Sequence, residues 1–304
     1  MLVTLIHNPS AGDEETESDH LLSLIRKAGH EVVDISVKDD YRAALESLGD
    51  LVAVAGGDGT VRKVAAELRG RGVPIAILPA GTANNISRSL GIDGPMEELI
   101  AKWETSSKKR VDVGRASAPW GDVAFIEGMG LGLFATTMSI LNSTDKESSA
   151  QFDDAQEKLE RDIKVLKGIL SDYKAHSLDM ILDGKPISGE YLLIEALNIN
   201  YIGPNLHLAP ASDPGDGYLD FIFVPEQKRE ELSQYLVGRL EGKEEAPQLD
   251  FERGKHLRLQ WDGVEMHVDD KLWPKPEALA DYSAPAVIDV RVEDEGLEFL
   301  CPAR

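Results

Sequence analysis

The chain has 304 residues, and its 42% hydrophobic and 28% charged content is typical of a globular protein with a sizeable core. Its 32 basic and 54 acidic residues give a net charge of −22, which argues against nucleic acid as the main partner and against strong electrostatic docking on anionic membranes. The single cysteine, Cys301, excludes an intrachain disulfide, and no apolar run suits a signal peptide or a transmembrane helix, so we expect a cytoplasmic protein.

Short apolar runs alternate with amphipathic segments over the first 115 residues. Strands are predicted at 2–7, 31–37, 51–55 and 73–79. Helices are predicted at 18–28, 41–48, 61–68, 84–90 and 95–103. Such alternation favours an α/β domain, in which a doubly wound parallel sheet carries helices on both faces.

The pattern changes after residue 116, where short β-rich runs are separated by Gly-Asp turns. The runs include HSLDMIL, YLLIEALNI, YLDFIFV, HLRLQW and VIDVRV. They predict an antiparallel β-sandwich or barrel. One polar helix is predicted at 152–173, and its apolar side chains are expected to pack on the sheet; these are Leu159, Ile163, Leu166 and Leu170. A loop is predicted at 142–151.

Three glycine-containing loops follow strands of the predicted parallel sheet. HNPSAG follows the first strand, GGDGT the third and PAGTANN the fourth. The carboxyl ends of parallel strands meet at one sheet edge, and glycine lets backbone N–H groups at helix starts approach an anion. Each loop alone indicates only a turn, but the three together favour a phosphate site. GMGLG at 128–132 lacks the spacing of a dinucleotide fingerprint, and no P-loop motif is present.

A role can be predicted for each residue of GGDGT. Gly56, Gly57 and Gly59 can bring the backbone against phosphates. Asp58 either binds Mg²⁺ or orders the glycine turn, and Thr60 is expected to cap the following helix rather than contact phosphate directly.

GGDGTVRKV, the NPSAG before it and the LPAGTANNISRSLGI after it resemble the diacylglycerol kinase catalytic-domain family. LNINYIGPNLHLAPASDPGDGYLDF at 197–221 resembles that family's second domain. The family includes bacterial lipid kinases and sphingosine kinases and is related to NAD kinases and phosphofructokinases. The resemblance implies a nucleotide-binding α/β domain at 1–115, to which about 293–304 returns, and an acceptor-binding β-sandwich at 116–292, with a cleft between them.

The resemblance also implies the ligands and the residues that hold them. The expected cofactors are ATP and Mg²⁺, and the expected acceptor is the hydroxyl of a diacylglycerol-like lipid. The nucleotide-site positions are Asn8, Pro9, Gly12, Gly56, Gly57, Asp58, Gly59, Thr60, Gly81, Thr82, Asn84 and Asn85. Asp58 is also a candidate ligand of the catalytic metal, while Asp213, Asp216 and Tyr218 correspond to a cation loop in the second domain. The plainer interpretation of that loop is a Gly-Asp turn before a strand.

Three positions depart from the family pattern, and the first is Asp13, which stands where the family often has a basic residue after NPxSG. Asn85 stands where the family commonly has a metal-binding aspartate, and Lys271 stands where its DGE motif has the glutamate base. In one interpretation Asp269 or Asp270 serves as the base and Lys271 binds phosphate. In another, transfer is lost and the protein binds a nucleotide or lipid as a regulator. A third alternative is a kinase of a soluble substrate. Peripheral membrane contact and a homodimer stay open as expectations.

Overall fold

The computed structural model describes residues 1–8, 14–38, 41–148, 154–275, 277–278, 282 and 284–302. It divides into two compact units. The first contains Met1–Val111 and Glu295–Arg304, and the second contains Asp112–Asp294.

The first unit is a six-stranded sheet with helices. Its strands are β1 (Leu2–His7), β2 (Glu31–Ser36), β3 (Leu51–Gly56), β4 (Ile75–Pro79), β5 (Ser107–Val111) and, from the end of the chain, β20 (Leu297–Cys301). Its helices are α1 (Glu14–Lys27), α2 (Tyr41–Ala44), α3 (Asp58–Leu68), α4 (Asn85–Ser89) and α5 (Met96–Ala101). The strand order is β2-β1-β3-β4-β20-β5, and β1 to β4 pair in parallel.

The strand order fixes where a ligand can bind in this unit. The chain moves outward from β1 to β2 and then in the opposite direction from β3 to β4. Because parallel crossovers are right-handed, α1 and α3 lie on opposite faces, which confirms the predicted doubly wound sheet. The order reverses between β1 and β3, and ligands of open α/β sheets bind beyond the carboxyl ends of strands at such a point.

The C-terminal strand completes this sheet. β20 pairs antiparallel with β5 over its whole length and parallel with β4 through Phe299 and Ile75. Phe299 is fully buried, and β20 lies between its two neighbours rather than at an edge. The last strand of the chain is therefore a core element of the first unit.

Over its described residues, the second unit is an antiparallel β-sandwich with three α-helices. Its strands are β6 (Gly114–Ala118), β7 (Gly121–Phe125), β8 (Gly128–Gly132), β9 (His176–Leu182), β10 (Lys185–Pro186), β11 (Gly189–Leu197), β12 (Tyr201–Ile202), β13 (Leu206–His207), β14 (Leu219–Pro225), β15 (Asp250–Gly254), β16 (His256–Trp261), β17 (Met266–Val268), β18 (Lys271–Leu272) and β19 (Ala286–Val292). Its helices are α6 (Leu133–Ser148), α7 (Ala155–Leu170) and α8 (Arg229–Leu240). All strand pairs of this unit are antiparallel among the described residues, as predicted.

The sandwich core fills the space between two layers. One layer contains β9, β16, β19, β6 and β7, and the other contains β18, β17, β8, β11, β14 and β15. Side chains of both layers form one buried cluster, represented by Met129 and Ile194 from one and by Leu259 and Ile288 from the other.

The three helices cover the outer face of the second layer. Leu193, Leu197 and Val224 of that face share a buried cluster with apolar side chains of α6, α7 and α8. The predicted packing of α7 is confirmed, because Leu159, Ile163, Leu166 and Leu170 are its buried side chains. No helix within the described ranges is long and apolar enough to cross a membrane.

The loop predicted at 142–151 is wrong over its first seven residues, because α6 continues to Ser148. The segment is rich in serine, threonine and charged residues, which favour turns in a short window. Inside α6 the Ser143 and Thr144 hydroxyls instead donate to the Ile140 carbonyl at 2.8 and 2.9 Å, so these polar groups are satisfied within the helix. Residues 149–151 lie outside the described part of the chain.

Candidate functional site

The GGDGT loop joins a fully buried strand to a helix. β3 ends at Gly56, Gly57 is the extended N-cap residue, and α3 begins at Asp58. The backbone amides of Thr60 and Val61 donate to the Gly57 carbonyl at 2.9 and 3.1 Å. No side chain caps this helix, so the predicted capping role of Thr60 is wrong. Its side chain instead lies over Gly56, where an added Cβ would be 2.9 Å from Thr60 Oγ1.

The PAGTANN loop is locked against GGDGT by backbone contacts. The Ala80 amide donates to the Gly56 carbonyl at 3.1 Å. An added Cβ on Gly81 would lie 2.4 Å from Gly57 Cα, so both positions require glycine for this approach. Asn84, at φ 52°, clasps Gly81: its Oδ1 accepts the Gly81 amide at 2.9 Å and its Nδ2 donates to the Gly81 carbonyl at 2.7 Å. The GGDGT and PAGTANN loops therefore brace each other.

Asp58 provides a second link between the same loops. Its Oδ2 accepts the Asn85 amide and its Oδ1 accepts the Ile86 amide, each at 2.9 Å. These N–H groups begin α4, which has no other side-chain cap. Burial raises the pKa of Asp58, although the two amides and the charge of Arg62 act in the opposite direction. Of the two roles predicted for Asp58, ordering the loops is the one that its contacts show.

Four other predicted nucleotide-site residues lie within the described part of the chain. Gly59 is in the first turn of α3, and Thr82 is half-buried in the loop after β4. Asn85 is 3% exposed, so it occupies a core position. The Asn8 amide donates to the Ala55 carbonyl at 3.0 Å, which places the end of β1 beside the end of β3. Pro9 and Gly12 lie outside the described residues.

The three candidates Asp269, Asp270 and Lys271 form the turn of the β17–β18 hairpin. Val268 pairs with Lys271, so Asp269 and Asp270 are the two loop residues, and Asp269 has φ 50°. Asp269 Oδ1 accepts the backbone amides of the three residues before and at the start of β8 (Ile126 at 3.3 Å, Glu127 at 2.9 Å and Gly128 at 3.3 Å). Asp270 and Lys271 are exposed. Asp269 thus holds the turn, and the next two residues project from it.

The loop at 213–218 satisfies its own polar groups. Asp213 Oδ1 accepts the Gly215 amide at 3.3 Å, and Asp216 Oδ1 accepts the Tyr218 amide at 3.0 Å. Asp216 also forms an ion pair with Arg253. The Tyr218 ring carries the Arg253 guanidinium at 4.9 Å and the Lys255 ammonium at 4.6 Å. A bound cation would have to compete with these two charges.

Asp112 is a buried carboxylate in this region that the sequence analysis missed. Its amide donates to the Pro214 carbonyl at 2.5 Å, and its Oδ2 accepts the Gly217 amide at 2.6 Å. Its carbonyl accepts a bond from Asn198 Nδ2 at 2.8 Å. The sequence signal for this role was a lone acid between two valines, at 111–113. A charge in such an apolar run is expected to be buried, and a buried charge needs several hydrogen-bond partners.

The described residues contain no group of three His, Cys, Asp or Glu side chains that could hold a metal ion. The glycine contact between the two loops does fit a phosphate, since it leaves backbone without Cβ atoms beside the N-terminus of α3.

Comparison with known proteins agrees with the fold. Residues 2–116 match the family described as the diacylglycerol kinase catalytic domain, and residues 147–291 match the YegS C-terminal NAD kinase beta sandwich-like domain. The chain therefore belongs to the diacylglycerol kinase catalytic-domain family and is an enzyme of the kinase class.

Three similar proteins illustrate the relationship. The chain is 27% identical over 249 residues to the diacylglycerol kinase of Bacillus subtilis (strain 168), covering 76% of this chain and 75% of the relative. It is 24% identical over 300 residues to the diacylglycerol kinase of Mycobacterium tuberculosis (strain ATCC 25618 / H37Rv), covering 95% and 94%. A crystal structure of a diacylglycerol kinase from Bacillus anthracis str. Sterne superposes with a TM-score of 0.69 at 21% identity, covering 98% and 96%, and shows that the fold is shared.

Proposed function

We propose that the protein transfers the terminal phosphoryl group of ATP to the hydroxyl of a diacylglycerol-like lipid, with Mg²⁺ as the accompanying metal. One observation carries the nucleotide half of this proposal: the braced GGDGT and PAGTANN loops, in which Gly57 and Gly81 touch at the start of α3. The lipid half is supported by the family and by the names of the relatives.

The braced loops suit a triphosphate for a physical reason. Phosphoryl transfer depends mainly on positioning and on charge neutralisation. Backbone amides near a helix start supply partial positive charge without a flexible side chain. Asp58 and Asn84 brace the two loops through four hydrogen bonds of 2.7–2.9 Å, three accepted from backbone amides and one donated to the Gly81 carbonyl.

Mg²⁺ would be held mainly by the nucleotide. This ion usually binds one or two carboxylates together with substrate phosphates and water. Each carboxylate oxygen has a second lone pair, so Asp58 can accept two amides and still offer a ligand. The ion would supply neutralisation of phosphate charge when bound.

The 269–271 turn supplies the remaining candidate groups. Asp269 is engaged with three amides, so we assign the base role to the exposed Asp270, which accepts the proton of the acceptor hydroxyl. Lys271 is an exposed ammonium and would neutralise phosphate charge. Peripheral contact with a lipid surface and a cytoplasmic location belong to the same proposal.

Asn85 and Lys271 favour a second candidate, a nucleotide- or lipid-binding regulator without transfer. An assay with labelled ATP and Mg²⁺ separates the candidates, using mixed micelles of diacylglycerol, monoacylglycerol or sphingosine, and NAD as a soluble acceptor. A labelled lipid product that forms with the original protein but not with Asp270→Asn supports the proposal. ATP binding without any product supports the regulator, and a product formed only with NAD supports a soluble-substrate kinase.

A further inference from the structure

Three residues on neighbouring strands form a row across the second layer of the sandwich. Gly130 of β8 pairs with Glu195 of β11 on one side and with His267 of β17 on the other. Glu195 and His267 thus stand two strands apart, about 10 Å between backbones at the usual strand spacing. Their side chains meet over the glycine, with His267 Nε2 at 3.0 Å from both Glu195 carboxylate oxygens.

Gly130 is required by this contact. A Cβ at Gly130 would lie 2.2 Å from the carboxyl atoms of Glu195. The central glycine of the GMGLG motif therefore seats a buried ion pair. Ile194 and Ala196 belong to the sandwich core, so Glu195, which alternates with them, points to the opposite, helix-covered face.

The pair is fully buried, with 0% exposure of the Glu195 side chain and 1% of the His267 side chain. Burial raises the pKa of Glu195, against the effect of His267. Burial lowers the pKa of His267, but the charge and hydrogen bonds of Glu195 and the Asp269 carbonyl outweigh it and raise that pKa overall. A buried pair of this kind adds little net stability compared with apolar residues, so stability alone does not explain it.

His267 also contacts the 269–271 turn. Its Nδ1 lies 3.0 Å from the Asp269 carbonyl oxygen, while Nε2 faces Glu195. Both ring nitrogens face oxygen atoms, which suits an imidazolium that donates at each end. The Asp269 side chain in turn accepts the amides of 126–128, and its own amide donates to the Gly128 carbonyl at 2.7 Å.

We propose that His267 is a positioning residue for phosphoryl transfer, which acts by fixing the backbone of Asp269 and thereby the place of Asp270 and Lys271, with Glu195 as the buried polar partner of its other ring nitrogen. This inference rests on the proposed kinase function of that turn. Neither residue touches the reacting groups. Displacing a reacting group by about 1 Å can cost on the order of 100-fold in rate, so a turn with a positive-φ residue and two exposed functional side chains needs such an anchor.

Two matched double variants separate the bond to Asp269 from the bond to Glu195. In Glu195→Gln/His267→Asn the amide nitrogen stands at the δ position, as Nδ1 does, and can still donate to the Asp269 carbonyl. In Glu195→Gln/His267→Gln it stands at the ε position and can reach only residue 195. Both variants are neutral and polar. The single variant Glu195→Gln keeps the Nδ1–H bond through the neutral tautomer.

The expected result is a fall in kcat of about 10- to 100-fold for the His267→Gln double variant, with an unchanged KM for ATP. The His267→Asn double variant and Glu195→Gln should stay within a few-fold of the original protein. Equal kcat values in the two double variants would overturn the inference. If the His267→Gln double variant does not fold, the other two decide, and a 10-fold loss in either contradicts the role given to Asp269.

Hydrogen exchange tests the same contact without any activity. The amides of Glu127, Gly128 and Asp269 should exchange about 10-fold faster in the His267→Gln double variant than in the His267→Asn variant, because the turn has lost its anchor. If the original protein phosphorylates no lipid, the proposed function fails while this measurement still decides on the anchor. Equal exchange rates of these amides in the two double variants would show that His267 does not anchor the turn.

Discussion

The carboxylate of Asp58 accepts the backbone amide of Asn85 at 2.9 Å. The acid of the GGDGT loop is thus bonded to the first residue of α4. Asp58 also accepts the Ile86 amide, and so it caps α4 and joins the ends of β3 and β4. This link explains why a single acid is needed to shape the site whether or not a metal is bound.

Asp58→Ala should weaken both folding and nucleotide binding. It leaves the amides of Asn85 and Ile86 without their acceptor, which costs about 1–3 kcal/mol for each buried group that finds no water. The free energy of unfolding should fall, and the Kd for ATP should rise. Asp19→Ala, at an exposed position of α1, is the control and should change neither. An Asp58→Ala protein that binds ATP normally would contradict the site.

Asn85→Asp should make the stability of the first unit respond to Mg²⁺. It places a second carboxylate next to Asp58 at a position that is 3% exposed, and like charges at one buried site destabilise each other. A divalent cation would relieve this repulsion. We expect a lower Tm without metal and a rise in millimolar MgCl₂ that exceeds the rise in the original protein. The same response in both proteins would show that residue 85 does not face the metal.

Gly81→Ala should be strongly destabilising. Its Cβ would lie 2.4 Å from Gly57 Cα and 2.8 Å from Asn84 Oδ1, so backbone must move and the two loops must separate. We expect a loss of about 1–3 kcal/mol of stability, as for overpacking, together with loss of ATP binding. Gly168→Ala is the matched control: it lies in α7 with open space around it and should stabilise by about 0.5–1 kcal/mol. Denaturant titration measures both.

The sequence predicted the parallel sheet and the glycine-containing loops that follow its strands, because strand periodicity and glycine-rich loops are local signals. It failed at α6, where Ser143 and Thr144 look like turn residues until their hydroxyls are seen bonded to Ile140. It also assigned the cap of α3 to Thr60, although the loop closes through Gly57 and the longer-range bonds of Asp58.

The buried polar groups of the second unit were the least predictable. Glu195 sits in the apolar run YLLIEAL, and its partner His267 is 72 residues later in the chain. Only the strand order β17-β8-β11 brings them together, and that order has no local signature. Asp112, bonded 105 residues away to Gly217, is a second example.

Cys301 offers a direct test of how β20 is held in the first unit. It is 6% exposed, and burial raises the pKa of its thiol to about 11. A raised pKa keeps the thiol protonated, so the reactive thiolate is about 100-fold scarcer at pH 8 than in an unfolded chain. Alkylation of the folded protein should therefore be slow at pH 8 and accelerate as pH rises.

Phe299→Ala, which empties a fully buried site beside β4 and β5 at a cost of about 3–5 kcal/mol, should speed labelling at constant pH. Glu298→Ala removes only an exposed pair with Lys108 and should leave the rate unchanged. Labelling of the folded protein at the rate of the unfolded chain would show that β20 is not a stable member of the sheet.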